Sequence, residues 1–361
     1  MTDPLDRVDL RPRVQAVVDG ELARQREVLR ELGSDLDHLV DEVAALLSGG
    51  KRLRAGFAYW GYRAAGGADS SALVRLATAM EFFQAGALVH DDVMDDSDTR
   101  RGRPAIHRAA QAWHDARDWG GDGARFGEGA AILAGNLCLA WCDELFAGCG
   151  LPAEELARAR PVFDVMRTQL MGGQLLDLAA QAQAWAGLDA PGRAAQARRV
   201  IRYKSAKYTI EHPLLIGATA AGAGPELLEA LSAYGLALGE AFQLRDDLLG
   251  VFGDAALTGK PAGDDLREGK RTLLVALALE EASAEQSSTV ATLLGRADLD
   301  DAGVAALRAV LTSTGADRKV EQRVTEGAAA ARAALERAPG LDTEFRQALN
   351  DLVDVATSRT S

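Results

Sequence analysis

The run Asp91-Asp92-Val93-Met94-Asp95-Asp96, with Asp98 just beyond it, gathers carboxylates directly behind an apolar stretch from Phe82 to His90. If that stretch is helical, Asp91 and Asp95 are four residues apart on one face. Carboxylates so placed repel each other unless something positive sits between them. A hard divalent cation such as Mg²⁺ takes one or two carboxylates and fills its other positions with water or phosphate oxygens. A solvated acidic helix end is the competing reading, but negative charge at a helix C-terminus opposes the macrodipole. A second pair, Asp246-Asp247, also follows an apolar helical run, within FQLRDDLLGVFGD at 242–254. Two such pairs could face each other across a helical bundle and hold metals there, where unpaired carboxylates would be costly.

Basic residues accompany both pairs. Arg100, Arg101 and Arg103 follow the first, with Gly102 and Pro104 setting a turn. Gly259-Lys260-Pro261 and Gly269-Lys270-Arg271 follow the second, and Gly49-Gly50-Lys51-Arg52-Leu53-Arg54 stands near the N-terminus. Guanidinium forks and ammonium groups beside a carboxylate–metal site suit a diphosphate. Each basic run taken alone also fits a solvated face. No P-loop is present, since Gly259-Lys260 lacks the upstream glycine spacing and is followed by Pro261. Cys138, Cys142 and Cys149 have no metal-ligand spacing, and Cys138 and Cys142 fit one packed helical face. His90 and His107 flank the first acidic run but are weak candidates for a catalytic base.

The elements that must position these groups read as helices. Leu39, Val40, Val43, Leu46 and Leu47 share one apolar face. Leu73, Leu76, Ala77, Met80, Phe83 and Ala87 share another, and Leu227, Leu228, Leu231, Tyr234, Leu238 and Ala241 a third. No alternating run is long enough to build a sheet. Glycine and proline clusters punctuate the faces, and Asp115 to Gly129 is the most loop-like stretch. The pattern predicts an all-α fold of ten or more helices in one domain over residues 1–361, with no shift in composition to mark a boundary. The chain of 361 residues is 48% hydrophobic, 26% charged and only 5% aromatic, which excludes wholesale disorder and favours helices. A net charge of −13 argues against nucleic-acid binding. The residues from Asp3 onward lack the apolar stretch of a secretory leader, so a cytoplasmic protein with reduced thiols is expected. The longest uncharged stretches, Gly129 to Cys142 and His212 to Pro225, hold 14 residues each, short of the roughly 18 a membrane span needs.

Four segments taken together, GGKRLR, DDVMDDSDTRRGRP, FQLRDDLLGVFGD and GKPAGDDLREGKRT, resemble the trans-prenyltransferase family of polyprenyl diphosphate synthases. The resemblance covers about residues 35 to 275 with the motifs in the family's order. It implies a single isoprenoid synthase-like helical bundle around a central cavity, a homodimer, and Mg²⁺-dependent condensation of isopentenyl diphosphate with an allylic diphosphate (dimethylallyl, geranyl or farnesyl). By resemblance, Asp91, Asp95 and Asp246 would ligate Mg²⁺, with Asp92 and Asp247 beside them. Arg100, Lys204 and Lys260 would contact the allylic diphosphate. Gly50, Lys51, Arg54, Gln84 and Arg101 would hold isopentenyl diphosphate, with Arg52 nearby. Gln174, Asp177, Ser205 and Gln243 would line the site, and Lys270 would add positive charge.

Three positions depart from the family pattern. Gly250 replaces the last aspartate of the second DDxxD motif, for which Asp254 could compensate through water. Ala55 replaces a frequent proline, a minor loop change by this reading. Asn136 stands where a Gly-Asp pair is common.

Product length would be set on the helix before Asp91. Short-product relatives carry a bulky aromatic floor at the positions of Gly86 and Ala87, and here that floor is absent. Phe83 lies about 12 Å below Asp91 along a helix, against about 7.5 Å for Gly86. This argues for Phe83 as the stop and for a C20 product, geranylgeranyl diphosphate. A class I terpene cyclase would use a different second motif and has no need of a second diphosphate site. A silent subunit of a heteromeric synthase would usually have lost motif aspartates. An acidic helical scaffold protein is the remaining alternative.

Overall fold

The computed structural model describes residues 3–183, 185–253, 263–296 and 298–357. These residues are helical almost throughout, and a two-residue hairpin is the one sheet among them. The all-α expectation is met. The chain divides into two compact units, one of residues 1–159 and 216–223 and the other of 160–215 and 224–361.

In the first unit, α1 (Leu10–Arg30), α2 (Asp37–Leu47), α3 (Leu53–Ala64), α5 (Ile106–Asp115) and α6 (Gly123–Ala147) surround α4 (Ser71–Met94). Helix α4 is apolar on nearly all sides, as a helix enclosed by others must be. The Ser70 hydroxyl caps its start by accepting from the Leu73 amide at 3.1 Å. Its end is a Schellman turn in which the Ser97 amide donates to the Asp92 carbonyl at 2.9 Å and Asp96 takes a left-handed φ of 53°. The first acidic run is therefore the last turn of α4 and its cap. Both α4 and α6 are long and apolar enough to cross a membrane, although 78% of the apolar window of α4 is buried within the fold.

Helix α6 starts earlier than the glycine-rich sequence suggests. Asp122 caps it, accepting from the amides of Ala124 and Arg125 at 2.9 and 3.3 Å. Gly127 faces α5 closely, where a Cβ would lie 2.2 Å from the His107 carbonyl oxygen. The glycine at 127 thus lets two helices meet within what reads as a loop.

Helices α7 (Ala153–Ala182) and α9 (His212–Ala220) each belong partly to both units, and the second unit also takes in α8 (Ala190–Val200), a π-helix (Ile201–Glu211) and α10 (Pro225–Phe252), with shorter helices after it. Helix α10 packs on the π-helix and on the helix Ala316–Glu336. The expected face of α10 is buried at Leu231, Tyr234, Leu238 and Ala241.

Candidate active site

At the end of α4, Asp92 points inward and is buried, whereas Asp91 and Asp95 are half-buried. The fork of Arg100 grips Asp92, with Nε 2.8 Å from Oδ1, and its Nη2 lies 3.8 Å from Asp91 Oδ2. Arg100 is held by a short hairpin, β1 (Thr99–Arg100) against β2 (Arg103–Pro104). Both turn residues, Arg101 and Gly102, have positive φ (54° and 73°), the geometry of a two-residue hairpin that matches strand twist. The hairpin folds Arg100 back beside Asp91 and Asp92, turns Arg101 toward the Leu46 carbonyl and leaves Arg103 3.7 Å from Glu42.

A second basic group lies in the same unit. Lys51 is exposed, Arg54 is half-buried in the first turn of α3, and Arg52 is buried. Arg101 donates to the Leu46 carbonyl at 2.6 Å, and its guanidinium lies 3.5 Å from where a Cβ on Gly50 would be. Solvent reaches Arg101, but desolvation on its inner side lowers its pKa. Glu81 opposes that shift, and Arg52, Arg54 and Arg100 add to it. Gln84 is half-buried on α4, two turns before Asp91.

Arg52 is occupied within the protein. Its Nη1 is 3.3 Å from Glu81 Oε2, its Nη2 donates to Gln15 Oε1 at 2.6 Å, and it also donates to the Leu47 carbonyl. Glu81 accepts in addition from the Ala55 amide at 3.0 Å. Ala55 is thus more than a minor loop change, because a proline there has no N–H to offer. Sequence reading missed Glu81. Its signal is a lone carboxylate within the otherwise apolar body of α4.

Phe83 is fully buried, and Ala87 is half-buried. Gly86 faces α6, where a Cβ would lie 3.0 Å from the Gly135 carbonyl oxygen and from Leu139.

In the second unit, the π-helix presents Lys204 and Ser205. Unusual helix windings of this kind recur at functional sites. Lys204 Nζ pairs with Asp177 Oδ2 at 2.6 Å, and the Ser205 hydroxyl donates to the Gln243 side-chain carbonyl. Glycines allow close approach from two sides. A Cβ on Gly173 would be 2.5 Å from the Lys204 amide nitrogen, and one on Gly239 2.7 Å from Ala206. Gln174 is half-buried next to Gly173.

The two aspartates on α10 differ in environment. Asp246 is exposed and Asp247 is buried. Burial, then the charges of Asp265 and Asp246, push Asp247 up to about 8, against the hydrogen bond from Gln243 and the charge of Lys270. Asp247 Oδ1 accepts from Gln243 Nε2 at 2.8 Å, and Oδ2 has no hydrogen-bond partner among the described residues. Asp246 is therefore the member of the pair that solvent reaches.

At Gly250, a Cβ would fall 2.1 Å from Asp265 Oδ2. Asp265 also lies 3.3 Å from Lys270 Nζ, and Lys270 pairs with Glu268. Sequence reading gave Asp265 no role. Lys260 and Asp254 lie outside the described residues.

The donor set suits a hard cation, being carboxylate oxygen throughout. Among the described residues no three His, Cys, Asp or Glu side chains converge as a closed metal cage. Mg²⁺ binds through one or two carboxylates and completes its shell with water and substrate phosphate.

An all-α fold that ends one apolar helix in a DDxxD turn held by Arg100, and carries an aspartate pair near the end of another with Lys270 close by, suits a helical enzyme that handles a diphosphate. The sequence profile of the family described as polyprenyl synthetase matches residues 37–311, and the chain belongs to that family of trans-prenyl diphosphate synthases, which are prenyltransferases. It is 34% identical to a geranylfarnesyl diphosphate synthase from Aeropyrum pernix, covering 86% of this chain and 91% of that one. It is 30% identical to the octaprenyl diphosphate synthase of Escherichia coli, covering 92% and 93%. Among solved structures, a geranylgeranyl pyrophosphate synthase from Corynebacterium glutamicum, complexed with isoprenyl diphosphate and magnesium, is 39% identical. Its TM-score is 0.92, over 97% of this chain and 98% of that one.

Proposed function

We propose that this chain condenses isopentenyl diphosphate with an allylic diphosphate in a Mg²⁺-dependent reaction and releases chiefly geranylgeranyl diphosphate, C20. The observation that carries this reading is the presence of two cationic groups in the first unit, Arg100 beside Asp91 and Asp92, and Lys51, Arg54 and Arg101 around the loop before α3. One group answers each diphosphate. A cyclase, with a single diphosphate to bind, has no use for the second.

In the family pattern Asp91, Asp95 and Asp246 would hold the metal, which when bound neutralises charge on the departing diphosphate. Arg100 and Lys204 contact that same diphosphate as the allylic C–O bond breaks, joined by Lys260 in the family pattern. Lys51, Arg54, Gln84 and Arg101 hold isopentenyl diphosphate with its double bond toward the allylic C1. The new C–C bond forms there, and a proton is then lost to the released diphosphate. Ser205 and Gln243 hold the wall beside Lys204, and Lys270 adds positive charge.

The C20 assignment is supported by the small side chains at Gly86 and Ala87 above the buried Phe83, and by likeness to the C. glutamicum enzyme. Named relatives range from farnesyl to nonaprenyl synthases, so length rests on residues particular to this chain. We further propose one catalytic domain over residues 1–361, a homodimer, and a cytoplasmic location. Ile132 and Leu133, exposed on α6 at 41% and 60%, offer an apolar face for a second copy. Light scattering at micromolar concentration should give the dimer mass, and a monomer mass would reject the dimer.

The deciding experiment incubates the protein with labelled isopentenyl diphosphate and dimethylallyl, geranyl or farnesyl diphosphate, with Mg²⁺ or with a chelator. Mg²⁺-dependent C20 product is expected. Absence of any condensation would reject the function, and release of C15 alone would reject the length.

A further inference from the structure

Glu81 is a carboxylate buried inside an apolar helix, and Arg52 is a guanidinium buried opposite it, with side chains 8% and 2% exposed. Such a pair is a poor device for stability, since apolar residues of similar volume usually do as well. Its geometry shows another use. Glu81 binds the Ala55 amide, one of the unsatisfied donors of the first turn of α3. Arg52 reaches α1 through Gln15 and the end of α2 through the Leu47 carbonyl. Four helices are thereby tied to the short loop between α2 and α3. Within that loop Gly49, Gly50 and Arg52 all have left-handed φ, at 68°, 93° and 53°. Arg52 lacks the freedom of glycine, so its conformation is strained and must be held by its contacts. Turning Arg52 inward leaves Lys51 outward on one side and Arg54 half-exposed on the other.

We infer that Glu81 and Arg52 form a positioning pair that sets Lys51, Arg54 and Arg101 to receive isopentenyl diphosphate, and that Arg52 itself does not touch the substrate. This rests on the reading of that basic group as the isopentenyl site. Glu81 also sets a negative charge near Arg101, opposing the repulsion from Arg52, Arg54 and Arg100.

Steady-state kinetics test the pair in Glu81→Gln, Arg52→Lys, Arg52→Met and the double variant Glu81→Gln/Arg52→Met. Each substrate is varied in turn against saturating partner. The KM for isopentenyl diphosphate should rise about tenfold or more in each, while that for the allylic diphosphate stays within about twofold. The double variant should be no worse than the poorer single one, because both act on one loop. If Arg52 binds substrate directly, the losses multiply instead, and the inference fails. Equal rises in both KM values, or an unchanged isopentenyl KM in folded variants, would overturn it as well. Arg52→Lys keeps the charge and serves if Glu81→Gln does not fold. Wild-type protein that condenses nothing would instead sink the functional reading, a separate result.

Discussion

The carboxylate of Asp265 stands where the side chain of residue 250 would have to begin: a Cβ on Gly250 would lie 2.1 Å from Asp265 Oδ2. The second aspartate motif lacks its last carboxylate, and an acid from the following segment fills the space. Gly250→Asp, which completes the DDxxD pattern, should therefore lower activity instead of raising it, by about tenfold, because Asp265 must leave Lys270. Gly250→Asp/Asp265→Gly should recover part of the loss. Steady-state turnover of the two variants checks this. An active Gly250→Asp enzyme would show that Asp265 moves at no cost.

Asp91→Ala and Asp246→Ala should each cut turnover by at least about a hundredfold while circular dichroism and melting temperature stay close to wild type. Neither side chain is buried, so neither deletion leaves a hole. Asp247→Ala should differ. It deletes a buried carboxyl that accepts from Gln243, and a loss of about 1–3 kcal/mol in stability should accompany any loss of rate. Near-normal turnover in Asp91→Ala would remove Asp91 from the metal site.

Product length offers a direct test of the α4 assignment. Phe83→Ala should lengthen the product, as read by chromatography of the dephosphorylated alcohols. Gly86→Phe is a harder test than the sequence suggests, because any Cβ there meets Leu139 and the Gly135 carbonyl of α6 at 3.0 Å. Overpacking should cost roughly 1–3 kcal/mol before length is affected. Ala87→Phe, at a half-buried position, should shorten the product without that penalty. Unchanged length in both Phe83→Ala and Ala87→Phe would remove the floor from α4.

Acid should weaken the second unit through His212. Burial pushes its pKa down to about 4 from 6.5, with Lys207 adding to the shift and Glu211 opposing it. The ring is neutral in the fold, whereas the unfolded chain takes up a proton below about pH 6.5. Between those two values the unfolded state binds more protons, so stability falls as pH falls from 6.5 toward 4 and levels off below. The loss amounts to about 3 kcal/mol over the full window. Urea midpoints at pH 7.5 and 5.0 should differ more for wild type than for His212→Asn. Equal differences would remove His212 as the cause.

By itself the sequence determined whatever is local. The helices, the turn that ends α4 on Asp91 and Asp95, and the arginines folded back beyond it follow from spacing within about a dozen residues. There a 3.6-residue period and a two-residue turn leave little choice of geometry. What only the tertiary structure decided are relations between segments far apart in the chain. Arg52 and Arg54 are indistinguishable as letters, and burial against Glu81 makes one a tie between helices and leaves the other half-exposed. Asp246 and Asp247 are neighbours, yet α10 turns one to solvent and the other inward, where its charge is disfavoured. Gly250 reads as a lost ligand until Asp265 is seen in its place. A helical period gives the angle at which Gly86 leaves α4, but not that α6 waits there, nor that α6 begins at Gly123. Those outcomes depend on which surfaces meet when the helices pack, because desolvation and steric exclusion act between neighbours in space, which a linear pattern does not specify.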